Sequence, residues 1–121
     1  IFTGGHWVPE MIRKAGGVDV IGTAGVASTT ISVDALRAAG PDLLVFAPCG
    51  YDLPRAVGEA HRVLALADWQ WATAIPVWAI DANSFASRPG PRLVEGVEIL
   101  ARILHPTLFS PLDPTHAARI H

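Results

Sequence analysis

Leu43-Leu44-Val45-Phe46-Ala47 is an unbroken apolar run, closed by Pro48-Cys49-Gly50. A strand of this kind has apolar side chains on both faces, so both faces must be covered. Val18 to Ile21 and Val77 to Ile80 are two more short, mostly apolar stretches. Helical segments precede, separate and follow the three. The first is expected over Val8 to Ala15, with Pro9 and Glu10 suited to its first turn, Arg13-Lys14 to its last, and Gly16-Gly17 ending it. Ser32 is a good N-cap for a short helix through Ala39, with Asp34 in its first turn and Gly40-Pro41 as its stop. A longer helix is expected over Leu53 to Leu66, with Val57, Ala60, Val63 and Leu64 on one face. The clearest runs from Pro91 to Leu104, where Leu93, Val97, Leu100 and Leu104 recur at helical spacing before Pro106.

Helix and strand therefore alternate. This pattern predicts an α/β fold, a small parallel sheet flanked on both faces by helices. Asp68 to Ala74 reads as a tryptophan-bearing link, and the segment after Phe109 as a frayed tail. Three strands make a small sheet for a free-standing domain. The opening, Ile1-Phe2-Thr3-Gly4-Gly5, has no basic stretch leading into an apolar one, so no signal peptide is read in it. A piece of a longer protein is expected.

Half of the 121 residues are hydrophobic and 17% are charged, too apolar a balance for a disordered chain. The net charge of −2 gives no basic field for a phosphate backbone, so nucleic acid is not an expected partner. No apolar run approaches the ~20 residues of a membrane-spanning helix. A single cysteine excludes an internal disulfide framework and a multi-cysteine metal site.

In parallel α/β sheets ligands lie beyond the carboxyl ends of the strands. That selects three loops: Gly22–Thr30, Pro48–Asp52 and Asn83–Arg88. Catalytic motifs are missing from them. There is no Gly-x-Ser-x-Gly elbow and no phosphate loop, since the one lysine is Lys14. The five histidines are scattered, and no pair has metal-ligand spacing. Cys49 is the sole candidate thiol nucleophile; its alternative is a half-buried thiol at a strand end. Arg88 and Arg92 flank the start of a helix, suited either to an anionic or amide-rich ligand or to a salt bridge that fixes the loop. Phe85 offers a flat contact or core packing. Trp7, in the lead into the first helix, can stack on a planar ligand. Trp78 is expected in the core, and Trp69 and Trp71 over a sheet end.

Four segments occur in order: Gly5-His6-Trp7-Val8-Pro9-Glu10, Ala15-Gly16-Gly17, Ala47-Pro48-Cys49-Gly50-Tyr51-Asp52-Leu53 and Ser87-Arg88-Pro89-Gly90-Pro91-Arg92-Leu93. Together they resemble the carboxy-terminal lobe of the cobalamin-type periplasmic substrate-binding proteins of ABC importers, the class that also holds iron–siderophore and haem binders. The resemblance spans about residues 2 to 109. It implies a Rossmann-like lobe over residues 1–109, with 110–121 as a tail, in a two-lobed protein whose amino-terminal lobe and connecting helix lie outside this sequence.

The function implied is binding of a corrinoid in the interlobe cleft and delivery to a membrane permease, outside the cytoplasm and without catalysis. The ligand-facing residues implied are Trp7, Ser28, Thr29, Cys49, Gly50, Tyr51, Ser84, Phe85 and Arg88. Arg88 matches an arginine directed at the corrin amides, and Asp34 an acidic residue that docks on permease arginines. Ser28 and Thr29 stand where some relatives have an aromatic. No catalytic cofactor or resident metal is implied; cobalamin or a related corrinoid is cargo. The alternatives are haem or a ferric siderophore as ligand, a small flavodoxin-like enzyme domain using Cys49, and a structural half that pairs with its own copy. Met11 and Tyr51, the one methionine and the one tyrosine, leave haem few axial ligands.

Overall fold

A computed structural model describes residues 8–21, 30–48, 50–81, 92–105 and 116–120, with the backbone alone for 92–94. The helix α1 covers Val8–Lys14 and α2 covers Val33–Ala38. Strand β1 covers Leu44–Phe46 and leads to α3, Leu53–Leu64. A 3₁₀ helix over Ala67–Ala74 then precedes β2, Val77–Ile80. Helix α4 covers Arg92–Leu104, and β3 covers Ala117–Arg119. The result is a small α/β fold in which helices flank a three-stranded sheet.

The sheet order is β1-β2-β3. β1 and β2 are parallel, with Leu44 opposite Val77 and Phe46 opposite Ala79. β3 is antiparallel to β2, with Ala117 opposite Ile80. The expected all-parallel sheet is thus corrected to a mixed one. Two expectations fail for separate reasons. Val18–Ile21 is not a strand: the Asp19 carboxylate accepts a hydrogen bond from the Ile21 amide at 3.0 Å, a local turn that competes with pairing, and Val18 is 82% exposed. The end of the chain is not simply frayed: Ala117 is buried, and the Ile120 amide donates to the Val77 carbonyl at 2.8 Å.

Alternation along the strands separates two cores. Ile80 and Ala117 face Ile99 and Ile103 of α4, with Leu43, Val45 and Trp78 around them. Met11 of α1 and Ala15 just after it back this layer against Leu100. On the opposite face Ala79 meets Leu53 and Ala56 of α3, with Phe46 and Ala118 beside them. Leu36 of α2, Val63, Trp69 and Ala72 extend that layer. Trp69 stacks on Trp71 at 6.0 Å between ring centroids, and its other neighbour is Phe46. The expected link is therefore an ordered, tryptophan-anchored turn of helix. β1 and Trp78 are only half-buried, less covered than the unbroken apolar run and the strand setting predict. A three-residue strand at the end of the sheet order has a neighbour in the sheet on one side alone among the described residues, which leaves part of its surface open.

The helix ends follow local chemistry. Ser32 Oγ accepts from the Ala35 amide at 3.1 Å, as expected of an N-cap. At the end of α1, Gly17 donates to the Ile12 carbonyl and Gly16 to that of Arg13, the paired bonds that close a helix through a left-handed glycine. Among the described residues, no helix is long and apolar enough to cross a membrane.

Candidate functional site

β1 and β2 are parallel, so Phe46 and Ile80 end on the same side of the sheet. The segments that leave these two strand ends form the candidate site. After β1 the chain turns through Gly50, whose φ of +77° is a left-handed conformation that favours glycine. The Tyr51 amide then donates to the Pro48 carbonyl at 3.0 Å, closing the turn. Asp52 is extended and caps α3, its Oδ1 accepting from the Arg55 amide at 3.0 Å. Pro54 sits in the first turn, where its missing N–H has no intrahelical role.

These constraints set Tyr51 against the core of the α3 face, half-buried beside Leu53, Ala56 and Ala79. The Arg55 guanidinium lies over its ring, with Cζ 4.1 Å from the centroid. After β2 the Asp81 amide donates to the His116 carbonyl at 3.0 Å, which brings the start of β3 to the same end of the sheet. The described part of this end therefore offers an aromatic surface with a cation on it. Asp81 and His116 are polar groups at the adjoining strand ends.

Of the residues expected in the site, Gly50 and Tyr51 stand in this turn. Asp34 lies elsewhere, exposed in the first turn of α2. Trp7, Ser28, Thr29, Cys49, Ser84, Phe85 and Arg88 lie outside the described residues, as do residues 22–29 of the loop expected at Gly22–Thr30 and the whole of that expected at Asn83–Arg88. Arg92 opens α4, with its backbone alone described.

Sequence reasoning missed Arg55. The signal was present: it lies four residues after Tyr51 and three after Asp52, spacings that bring helical side chains together. His116 was missed because nothing local marks a three-residue strand in a segment rich in proline.

Two carboxylates on helix surfaces are perturbed by an arginine three residues on. The hydrogen bond from Arg13 holds Glu10 below its ordinary range, and that from Arg62 does the same for Glu59. Among the described residues no group of three or more His, Cys, Asp or Glu side chains is placed to hold a metal ion. Comparison of the chain with protein-family models, with curated proteins and with solved structures finds no match.

Proposed function

We propose that this chain is one Rossmann-like lobe of a two-lobed substrate-binding protein, and that it supplies one wall of a cleft for a corrinoid delivered to an ABC importer. The observation that carries the reading is the ordered set of four segments, from Gly5-His6-Trp7 to Arg88-Pro89-Gly90-Pro91-Arg92. The turn after β1 agrees with it. Gly50-Tyr51-Asp52, from the third segment, stands at the end of the sheet where α/β folds take ligands. In this reading a rigid macrocycle is buried between the lobes through flat contacts and a few polar anchors. Trp7 and Phe85 supply flat surface, and Ser28, Thr29, Cys49, Gly50, Tyr51 and Ser84 line the wall. Arg88 donates to the amides of the corrin. The setting is extracytoplasmic, and Asp34, on the outside of α2, meets the permease.

Calorimetric titration of the two-lobed protein with cobalamin, cobinamide, haem and a ferric siderophore tests this. Micromolar or tighter binding of a corrinoid is expected, with weak binding by the 121-residue chain alone. Tight binding of haem or siderophore with none of either corrinoid refutes the ligand assignment. In the same preparation Asp34→Arg leaves corrinoid affinity intact and lowers importer-stimulated ATP hydrolysis; the reverse result removes Asp34 from the docking surface.

A further inference from the structure

We infer that Arg55, held on the Tyr51 ring, makes the candidate site selective for a ligand carrying an anionic phosphodiester. The inference rests on the corrinoid reading and specifies which corrinoid the site prefers.

Among helix arginines with described side chains, Arg55 and Arg37 have no ion pair, and of these two Arg55 is the one that rests on an aromatic ring. Three other arginines on helices are matched by acids on their own helix: Arg13 by Glu10, Arg62 by Glu59 and Arg102 by Glu98. Arg55 also has two carboxylates at pairing distance in sequence, Asp52 three residues before and Glu59 four after. Both are committed elsewhere. Asp52 accepts from the backbone amide of Arg55 and caps the helix, while Glu59 takes both hydrogen bonds from Arg62. Among the described residues no carboxylate pairs with the Arg55 guanidinium, which is exposed.

The side chain also points the right way. Side chains in a first helical turn lean toward the helix start, here the turn after β1. The ring contact confirms that lean, because Tyr51 precedes the helix and lies beneath the guanidinium. Tyr51 is itself packed on Leu53, Ala56 and Ala79, so the platform is anchored in the core. A guanidinium resting on an aromatic face retains its in-plane N–H donors, and its planar fork matches two phosphate oxygens. The contact also restricts a long side chain before binding, so less entropy is lost when an anion arrives.

Cobalamin carries one phosphodiester, and cobinamide lacks it. The two-lobed protein should therefore bind cobalamin more tightly, with a preference that narrows as salt is raised. Arg55→Ala should weaken cobalamin by about tenfold, as for one charge-assisted hydrogen bond, and leave cobinamide within about twofold. Tyr51→Ala should erode the same preference through the platform, whereas Tyr51→Phe should keep it. The unfolding temperature of Arg55→Ala serves as the control, and it should stay near wild type because the side chain is exposed. Equal losses for both corrinoids, or none for either, overturn the inference while the corrinoid reading stands. Failure of the unaltered protein to bind either corrinoid overturns both.

Discussion

Gly16 shows how one residue sets the contact between two helices. Its φ is +94°, and a Cβ there would lie 2.5 Å from Nε2 of His105, just past the end of α4. The neighbouring Gly17 would place a Cβ 2.8 Å from Leu104 Cδ1. A side chain at either position would therefore require His105 or Leu104 to shift where the end of α1 meets the end of α4. Gly40 provides the comparison, since its φ is +67° and a Cβ there would meet open space. Gly40→Ala should cost about 1–2 kcal/mol from backbone strain alone, and Gly16→Ala more, because His105 must also move. In a His105→Ala background the two penalties should converge, as urea unfolding of each glycine variant against its own background would show. Equal penalties with His105 intact would mean the ring yields freely. Charge acts at the same scale. The hydrogen bond from Arg62 holds the Glu59 carboxyl below its ordinary value of 4.5. A depressed carboxylate stabilises the fold above that value and ceases to do so as pH falls through the folded pKa. Wild type should therefore melt slightly above Glu59→Gln at neutral pH, and the gap should close as the pH falls below the ordinary carboxylate range. A gap that widens in acid would contradict the pairing.

α3 is the element that links the fold to the candidate site. Leu53, Ala56, Ala60 and Val63 recur on one buried face, and the helix lies along the sheet with Asp52 fixing where it starts. Gly58 interrupts it on the exposed side, with nothing within 4 Å of a Cβ. Gly58→Ala should raise stability by about 0.5–1 kcal/mol, because glycine is the poorer helix former and the new methyl meets no obstacle. Thermal or urea unfolding would check the sign, and a loss of stability would show that the exposed side of α3 is covered. The helices were the most legible elements. The cap at Ser32 and the glycines after α1 are local signals, and each acts within one turn. The strand expected at Val18–Ile21 failed on the same kind of chemistry, because the Asp19 carboxylate offered the backbone a turn.

At the scale of the whole molecule, β3 ties the core to the candidate site. It completes the sheet with residues far along the chain from β2 and buries Ala117 against Ile80, Ile99 and Ile103. Ala117→Asp should destabilise the protein by about 3 kcal/mol or more, since it puts a carboxyl into an apolar layer without a partner. Arg119→Asp, on the exposed end of the same strand, should change stability by about 0.5 kcal/mol or less. Chemical unfolding of the pair separates a docked strand from a loose end; equal small effects would mean that β3 contributes little. The same strand carries His116 to the end of the sheet where Tyr51 and Arg55 stand.

The sequence by itself determined the α/β class, four helices and the strands β1 and β2, because caps, helical spacing and apolar runs are properties of neighbours along the chain. It also marked Gly50-Tyr51-Asp52 as the turn beyond a strand. Only the tertiary structure decided that the sheet is mixed, that its third strand comes from residues 117–119, and that Val18–Ile21 stays outside it. Ala117, Ala118 and Arg119 pair with β2 because a vacant edge and an apolar layer of α4 await them, and those lie far away in sequence. The placement of Arg55 on Tyr51 is intermediate: helical spacing permits the contact, and the packing of Tyr51 on the α3 face fixes it.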